Sequence, residues 1–513
     1  MRRALAVVLL VWGASCHDQA SDTNLVTPPP PGGGDDAGAV GDDGGTVGGG
    51  DPKKGILLSG TVLGPNGPFE GEVLVVGDTI VCADAGTTCE QDPKAAGVAR
   101  VTADVIAPGM LDTHNHILFD IFDDDDWFPS QIYTNHDQWT AEARYSLMVD
   151  VKQCLEDASQ GKPTWCPTKY DSTGNVKCEL EKWGELKGLV AGTTSIVGLA
   201  GTSSSCFGAV TRAIDTQFNG LASDKIQTSA LFPPSKSTAD GVCKNYGTGA
   251  TTRFLIHCGE GTDAKSLGEF ATLGTVTTTP SCLYAPQTVI THGTAFTAME
   301  FAVMKAHDMK LVWSPASNIA LYGETANIPA ALDAGVLVAL APDWSMGGSA
   351  NLLVEMRAAK AWSDSKWAKR LTTKDLVTMT TANAAKVLGV DDRLGTIAKG
   401  YLADLFVVKG DKTAPYDAVV AATPKEVRLV MVAGTPRYGD VDLKALALND
   451  AEDFDACGAA KFVAIATPNG ANKTNETYAA LKTILDGAIA DMDQARPPGG
   501  ASFAPNAAVV SCK

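Results

Sequence analysis

The stretch GMLDTHNHILFD, residues 109–120, sets two histidines two positions apart behind the apolar run 105–111. In an extended strand, residues i and i+2 share a face. His114 and His116 would then project together, with Thr113 and Asn115 pointing away. Taken alone, the pair reads either as two metal ligands at a strand end or as an ordinary surface turn. The remainder of the chain has to choose between them.

Outward from that stretch, the middle of the chain alternates. Strand-like apolar runs at 105–111, 194–199, 226–232, 254–256, 288–290, 310–313 and 336–340 end at Gly, His, Glu or Asp, and helix-like segments follow. Such alternation predicts parallel strands joined by crossover helices. Seven runs are one short of a closed eight-stranded barrel, and a short strand within 233–251 is expected to supply the eighth. The last helix is expected at 374–388. Thr372 and Asp375 form a possible capping box, Leu376, Val377, Ala384, Val387 and Leu388 supply an apolar face, and Gly389 ends it.

The flanks have another texture. Residues 55–82 and 402–438 are short apolar runs broken by Gly, Pro and Asn, which predicts small antiparallel sheets with tight turns. One domain assembled from both flanks, 55–104 and 396–440, would then embrace a middle domain at 105–395. Residues 121–182, with DDDDWF and three cysteines, interrupt the alternation as an insertion. Residues 441–513 form a C-terminal extension with one expected helix at 477–492.

The chain of 513 residues is 45% hydrophobic and 19% charged, enough to bury a large core. A net charge of −18 argues against a nucleic-acid partner, which would leave a basic patch. No apolar run after the N-terminus is long enough to span a bilayer. Residues 1–16, MRRALAVVLLVWGASC, read as a secretory signal. Small residues before Cys16 resemble a bacterial lipoprotein signal, although Gly13 stands where that motif prefers Leu; plain cleavage near 14–16 is the alternative. A Gly-, Asp- and Pro-rich tether at 17–54 follows, and any membrane contact would run through the lipid on Cys16. The expected location is the cell envelope of a bacterium. Twelve cysteines suit an oxidising compartment. Cys82 with Cys89 and Cys457 with Cys512 are the expected bridges; Cys154, Cys166, Cys178, Cys206, Cys243 and Cys282 can form three more, which leaves Cys258 free.

Chemistry-bearing residues gather at the ends of the strand-like runs. His114, His116, His257 and His292 stand there, and Asp343 ends another run. In a barrel of parallel strands those ends converge on one face, where active sites form. Singly, His257 could be a core histidine, His292 a turn residue and Asp343 a helix N-cap. Five such residues at five such positions are hard to explain as packing.

In order along the chain, VIAPGMLDTHNH, AGTTSIV, FLIHCGEGTD, VITHGT, WSPASNIALYGETANIPAALDAGVLVALAPDWS and TTANAAKVLGVDDRLGTIAKGYLADLFVV resemble the amidohydrolase superfamily. The branch nearest by motif holds deaminases and triazine chlorohydrolases. The resemblance implies an α/β fold, a (β/α)₈ TIM-like barrel with a β-sandwich built from both chain flanks, and one divalent metal. By position it implies His114, His116, His257 and Asp343 as metal ligands. Three neutral imidazoles and a carboxylate suit zinc, ahead of iron. It further implies Glu260 as the proton carrier, His292 as the group that polarises or protonates the bond under attack, and Asp343 as acceptor of a hydrogen bond from the attacking water. Ser317 and Asn318 match the family's Ser-Asn pair, and either orient a loop or touch substrate. Trp344 is a candidate pocket wall. His136 and His307 are expected to take no catalytic part: His307 sits on a helix and is exposed, and His136 belongs to the insertion, from which it could reach the pocket rim. The sequence departs from the family at Ala341 and Pro342, which replace the usual Gly-Thr before the aspartate. The implied activity is hydrolysis of a non-peptide carbon–nitrogen bond in a small nitrogen-containing substrate. The alternatives are a two-metal dipeptidase or lactonase, for which Lys225 is the nearest bridging candidate, and a non-catalytic surface-binding lipoprotein.

Overall fold

The computed structural model describes residues 47–513 apart from 160, 200–201, 203–204, 216–224, 231, 449–450, 467–474, 504–507 and 513. The expected signal with Cys16, and the tether as far as 46, lie outside the described residues. Residues 51–54, expected in the tether, already belong to the strand Asp51–Gly64.

That strand pairs in parallel with Val98–Pro108 and antiparallel with Gly67–Val76. Leu405–Val408 pairs on the other edge of Val98–Pro108, so the two flanks of the chain meet in one sheet. Its two faces follow from the two-residue side-chain period of a strand. Ile106, Leu405, Val407, Leu429 and Met431 enter one core. Their neighbours Val105, Ala107, Phe406, Val408 and Val430 enter the large core shared with the middle domain. The C-terminal residues are part of this body and not an appendage. Glu452–Ala456 and Ala459–Val463 extend the same sheet. The helix Tyr478–Ala495 sets its Tyr478 ring against Trp183 at 6.1 Å.

Among the described residues, the middle of the chain carries eight strands, labelled β1 (Met110–Asp112), β2 (Thr193–Ile196), β3 (Arg212–Ala213), β4 (Ile226–Ser229), β5 (Arg253–Cys258), β6 (Thr288–His292), β7 (Lys310–Trp313) and β8 (Leu337–Leu340). They form two sheets, β1–β2–β3 and β4–β5–β6–β7–β8, and every pairing is parallel. A parallel bridge between Asn115 and Asp343 joins the end of β1 to the end of β8. With crossover helices between most of the strands, this is a TIM-barrel-like α/β fold.

Three expectations are corrected. The run 105–111 is not one strand. Val98–Pro108 belongs to the flank sheet, and β1 begins only at Met110. Gly109 makes the step, since a Cβ there would lie 2.2 Å from Thr194 Oγ1. Residues 233–251 hold no strand but the helix Lys236–Thr248, capped by the Ser235 side chain and ended by left-handed Gly249. The eighth strand is β3, two residues long, held by a buried two-point pair from Arg212 to Asp404 at 2.6 and 2.9 Å. The expected helix at 374–388 is two helices, Thr373–Thr380 and Ala382–Leu388, broken at Thr381; the Thr372–Asp375 capping box and the left-handed Gly389 stop are both present.

The insertion folds as α1 (His136–Trp139), α2 (Ala143–Leu155) and the start of α3 (Lys177–Leu189), which runs past 182 into the middle domain. Among the described residues, five cysteine pairs form: Cys82–Cys89, Cys154–Cys166, Cys178–Cys206, Cys243–Cys282 and Cys457–Cys512. Cys258 is free and buried.

Candidate active site

His114 and His116 lie just beyond β1, in a turn that Asp112 shapes. Asp112 accepts from the His114 backbone N–H at 3.1 Å and from the Asn115 side-chain amide at 2.9 Å. The turn is locked to the residue after β8, because the His116 N–H donates to the Asp343 carbonyl at 2.7 Å and the Asp343 N–H to the His114 carbonyl at 3.2 Å. Asp343 and His292 both take left-handed backbone, at φ 71° and 73°. Non-glycine residues reach that region only where surrounding structure over-determines them.

The side chains converge. His114 Nε2 is 3.0 Å and His116 Nε2 3.4 Å from Asp343 Oδ1. His257 Nε2 is 3.3 Å from His116 Nε2. The ligand atoms of His114, His116 and His257 lie within 4.8 Å of one another, as do those of His114, His292 and Asp343. Burial lowers the His114 and His257 imidazoles and pushes His116 down to about 3, so all three are neutral at neutral pH with lone pairs to offer. Burial would raise Asp343, but the hydrogen bond from His114 holds it well below the carboxylate range.

Glu260 and His292 stand beside this cluster. His292 Nε2 is 3.9 Å from Glu260 Oε2. Burial pushes Glu260 up to about 7, within reach of both protonation states near neutrality. The Asn318 side-chain amide donates to His292 Nδ1 at 3.0 Å, which leaves the His292 proton on Nε2. Asn318 is itself oriented by Thr325 Oγ1, which donates to its Oδ1 at 3.3 Å.

A cavity of ≈ 280 Å³ opens over these groups, lined by His116, His257, Glu260, His292, Asp343 and Trp344 from the strand-end side and by His136, Trp139, Thr140, Tyr145 and Lys152 from the insertion. Trp344 is thus a cavity wall, its ring 5.3 Å from His116 and 5.4 Å from Trp139. His136 reaches the cavity, and its pairing with Glu269 raises its pKa. Ser317 and Asn318 do not line it. Ser317 is buried and donates to the Ser314 carbonyl at 3.3 Å, while Asn318 holds His292. His307 is exposed.

Several working residues carry no signature in the sequence. Tyr322 OH donates to Glu260 Oε1 at 2.7 Å. Lys187, fully buried, donates to Ser345 Oγ at 2.7 Å and to the Asp120 carbonyl at 2.9 Å, tying the loop after β8 to the turn after His116. Only the strand-end position of Asp112 could have singled out any of them.

A model of the amidohydrolase family matches residues 192–437. The 5'-deoxyadenosine deaminase of Methanothermobacter thermautotrophicus is 26% identical over 428 residues, 76% of this chain and 95% of that protein. The family match and this relative agree with the resemblance to the amidohydrolase superfamily. Two solved structures share the fold. A zinc-bound adenosine deaminase from Xanthomonas campestris matches with a TM-score of 0.54 at 16% identity, covering 74% of this chain and 92% of its own. Atrazine chlorohydrolase from Arthrobacter aurescens TC1, complexed with zinc, matches with a TM-score of 0.55 at 15% identity, covering 74% and 94%. The two-metal and non-catalytic alternatives gain nothing from these relatives. Lys225, the bridging candidate, precedes β4 at the end away from His257, since its neighbour Ile226 pairs with Arg253 at the start of β5.

Proposed function

We propose that the protein is an exported hydrolase that uses one divalent metal ion to break a non-peptide carbon–nitrogen bond, as a deaminase does, in a small aminated heterocycle. One observation carries the reading: three imidazole nitrogens and a carboxylate oxygen converge beside Glu260 and the protonated Nε2 of His292. His114, His116, His257 and Asp343 would hold the ion, zinc ahead of iron. The donors fit it. His257 donates its Nδ1–H to the Ser229 carbonyl at 3.0 Å, which turns its Nε2 lone pair towards the Nε2 of His116, 3.3 Å away, among the other would-be ligands. Such an ion supplies a water whose pKa falls from near 16 towards about 7.

The chain's own residues do the rest. Asp343 accepts a hydrogen bond from the attacking water and aligns it. Glu260, poised near neutrality, takes the water's proton and returns it to the departing nitrogen. His292 donates from Nε2 to the atom that gains negative charge. Trp344, Trp139 and Tyr145 offer flat apolar walls to a planar ring. The deaminase relatives support an aminated substrate. The reading also takes the two strand sheets as arcs of one closed barrel, which the Asn115–Asp343 bridge at one seam supports. Export with a lipid on Cys16 belongs to it too, supported by the signal-like residues 1–16 and the five cysteine pairs.

The test is zinc content by mass spectrometry together with ammonia release from a panel of aminated purines, pyrimidines and triazines. About one zinc per chain and chelator-sensitive release are expected. Zinc-loaded protein that releases no ammonia from any of them overturns the reading.

A further inference from the structure

We propose that Tyr322 and Trp139 form a buried relay that positions Glu260 and makes its alignment depend on the docked insertion. Trp139 Nε1 donates to Tyr322 OH at 2.8 Å, and Tyr322 OH donates to Glu260 Oε1 at 2.7 Å. The direction is forced, because an indole N–H can only donate; the Tyr322 oxygen accepts it and turns its own hydrogen to the carboxylate. All three side chains are buried. One oxygen of Glu260 is thereby fixed, and the other, 3.9 Å from His292 Nε2, is left for the proton transfer. The proposal rests on the reading of Glu260 as the proton carrier; Tyr322 and Trp139 are positioning residues.

The insertion grips Glu260 on both sides as well as from below. Asn135 bridges Gly261, and the Thr262 N–H donates to the Thr134 carbonyl at 2.8 Å. Gly261 has no room for a side chain there, since a Cβ would stand 2.4 Å from that same carbonyl. On the other side, His136 Nε2 meets Glu269 Oε1 at 2.9 Å, and Glu269 Oε2 accepts from the Gly259 N–H at 2.7 Å. The ring of Trp139 also lines the cavity. An occupant packed on that ring therefore leans on the residue that orients Glu260 through Tyr322. Trp139 ends the first helix of the insertion, so the outer half of the relay comes from the insertion.

The experiment compares zinc-loaded full-length protein with Tyr322→Phe, Trp139→Phe and the double variant. Hydrogen–deuterium exchange of the peptide 258–263 is read against the strand Val427–Val432 and the thermal midpoint. Each single variant is expected to raise exchange in 258–263 about tenfold, with Val427–Val432 and the midpoint close to the parent. The double variant should exchange no faster than Tyr322→Phe alone, because the two bonds act in series. Parent-like exchange in 258–263, or an equal rise in Val427–Val432, overturns the relay. With 5'-deoxyadenosine as amine probe, Tyr322→Phe should lower kcat about tenfold and change KM less than about twofold; an unchanged kcat overturns it. If the parent releases no ammonia from any probe, the functional reading fails, while the exchange measurement still decides the relay. Trp139→Phe carries the test should Tyr322→Phe fail to fold.

Discussion

His257 and His292 stand on parallel strands, and His114, His116 and Asp343 sit just beyond the ends of two more, held by strand pairing or backbone hydrogen bonds. His136, Trp139, Tyr145 and Lys152 reach the same cavity from residues 121–182, where helices are held by side-chain contacts, the Cys154–Cys166 pair and a few backbone bonds at 133–135. The first group has its backbone fixed by the fold, so its geometry is available to any sequence that forms the strands. The second depends on how one insertion docks. Chemistry common to a family suits the first arrangement, and discrimination between substrates suits the second.

Removing a strand-end ligand should break that comparison most severely. His257→Ala is expected to leave well under one zinc per chain and to cut kcat/KM by about a thousandfold or more. Metal analysis beside kinetics checks it, and an active, zinc-replete variant would refute the ligand set.

The frame beneath the strand ends comes next. Arg212→Met leaves Asp404 buried without its partner and should cost about 3–5 kcal/mol in urea unfolding. A loss below about 1 kcal/mol would mean that β3 is held by something other than this pair.

A pH-dependent effect sharpens the same frame. Glu355 accepts from the Ala316 N–H under the strand ends, and burial pushes its carboxyl up to about 8. The folded state therefore binds a proton more tightly than the unfolded chain between roughly pH 4.5 and 8. Stability falls as pH rises through that window. Glu355→Gln should remove the cost, gaining about 4 kcal/mol at pH 8 and almost nothing at pH 4. An equal gain at both values would deny the buried proton.

On the insertion side the effect should be smaller and different in kind. Tyr145→Ala deletes part of the aromatic wall and is expected to raise KM about threefold to tenfold, with zinc content unchanged. A fall in zinc content would show that insertion and metal cluster are not separable.

The legibility of the molecule divides along the same line. The alternation of apolar runs with helix-like segments gave the parallel strands, and His257, His292 and Asp343 could be located because strand ends are visible as composition. The Thr372–Asp375 box could be read because a helix cap is a local hydrogen-bond pattern. β3 escaped, being two residues long and held by Arg212 reaching Asp404 across 192 positions. The split of 105–111 escaped because Pro108, Gly109 and Met110 look continuous in hydropathy, while the reason for the step is Thr194 on a neighbouring strand.

The sequence by itself determined what depends on neighbours along the chain: strand and helix periodicity, caps, turns, and which chemistry-bearing residues end which run. The tertiary structure alone decided which of them meet. His114 and Asp343 share a contact across 229 positions, and Trp139 and Tyr322 across 183. It also decided the charge states, because a buried imidazole or carboxyl takes its pKa from solvent it has lost and partners it has gained. Periodicity is a property of the backbone and is written locally. Convergence and burial are properties of packing, and no local pattern records them.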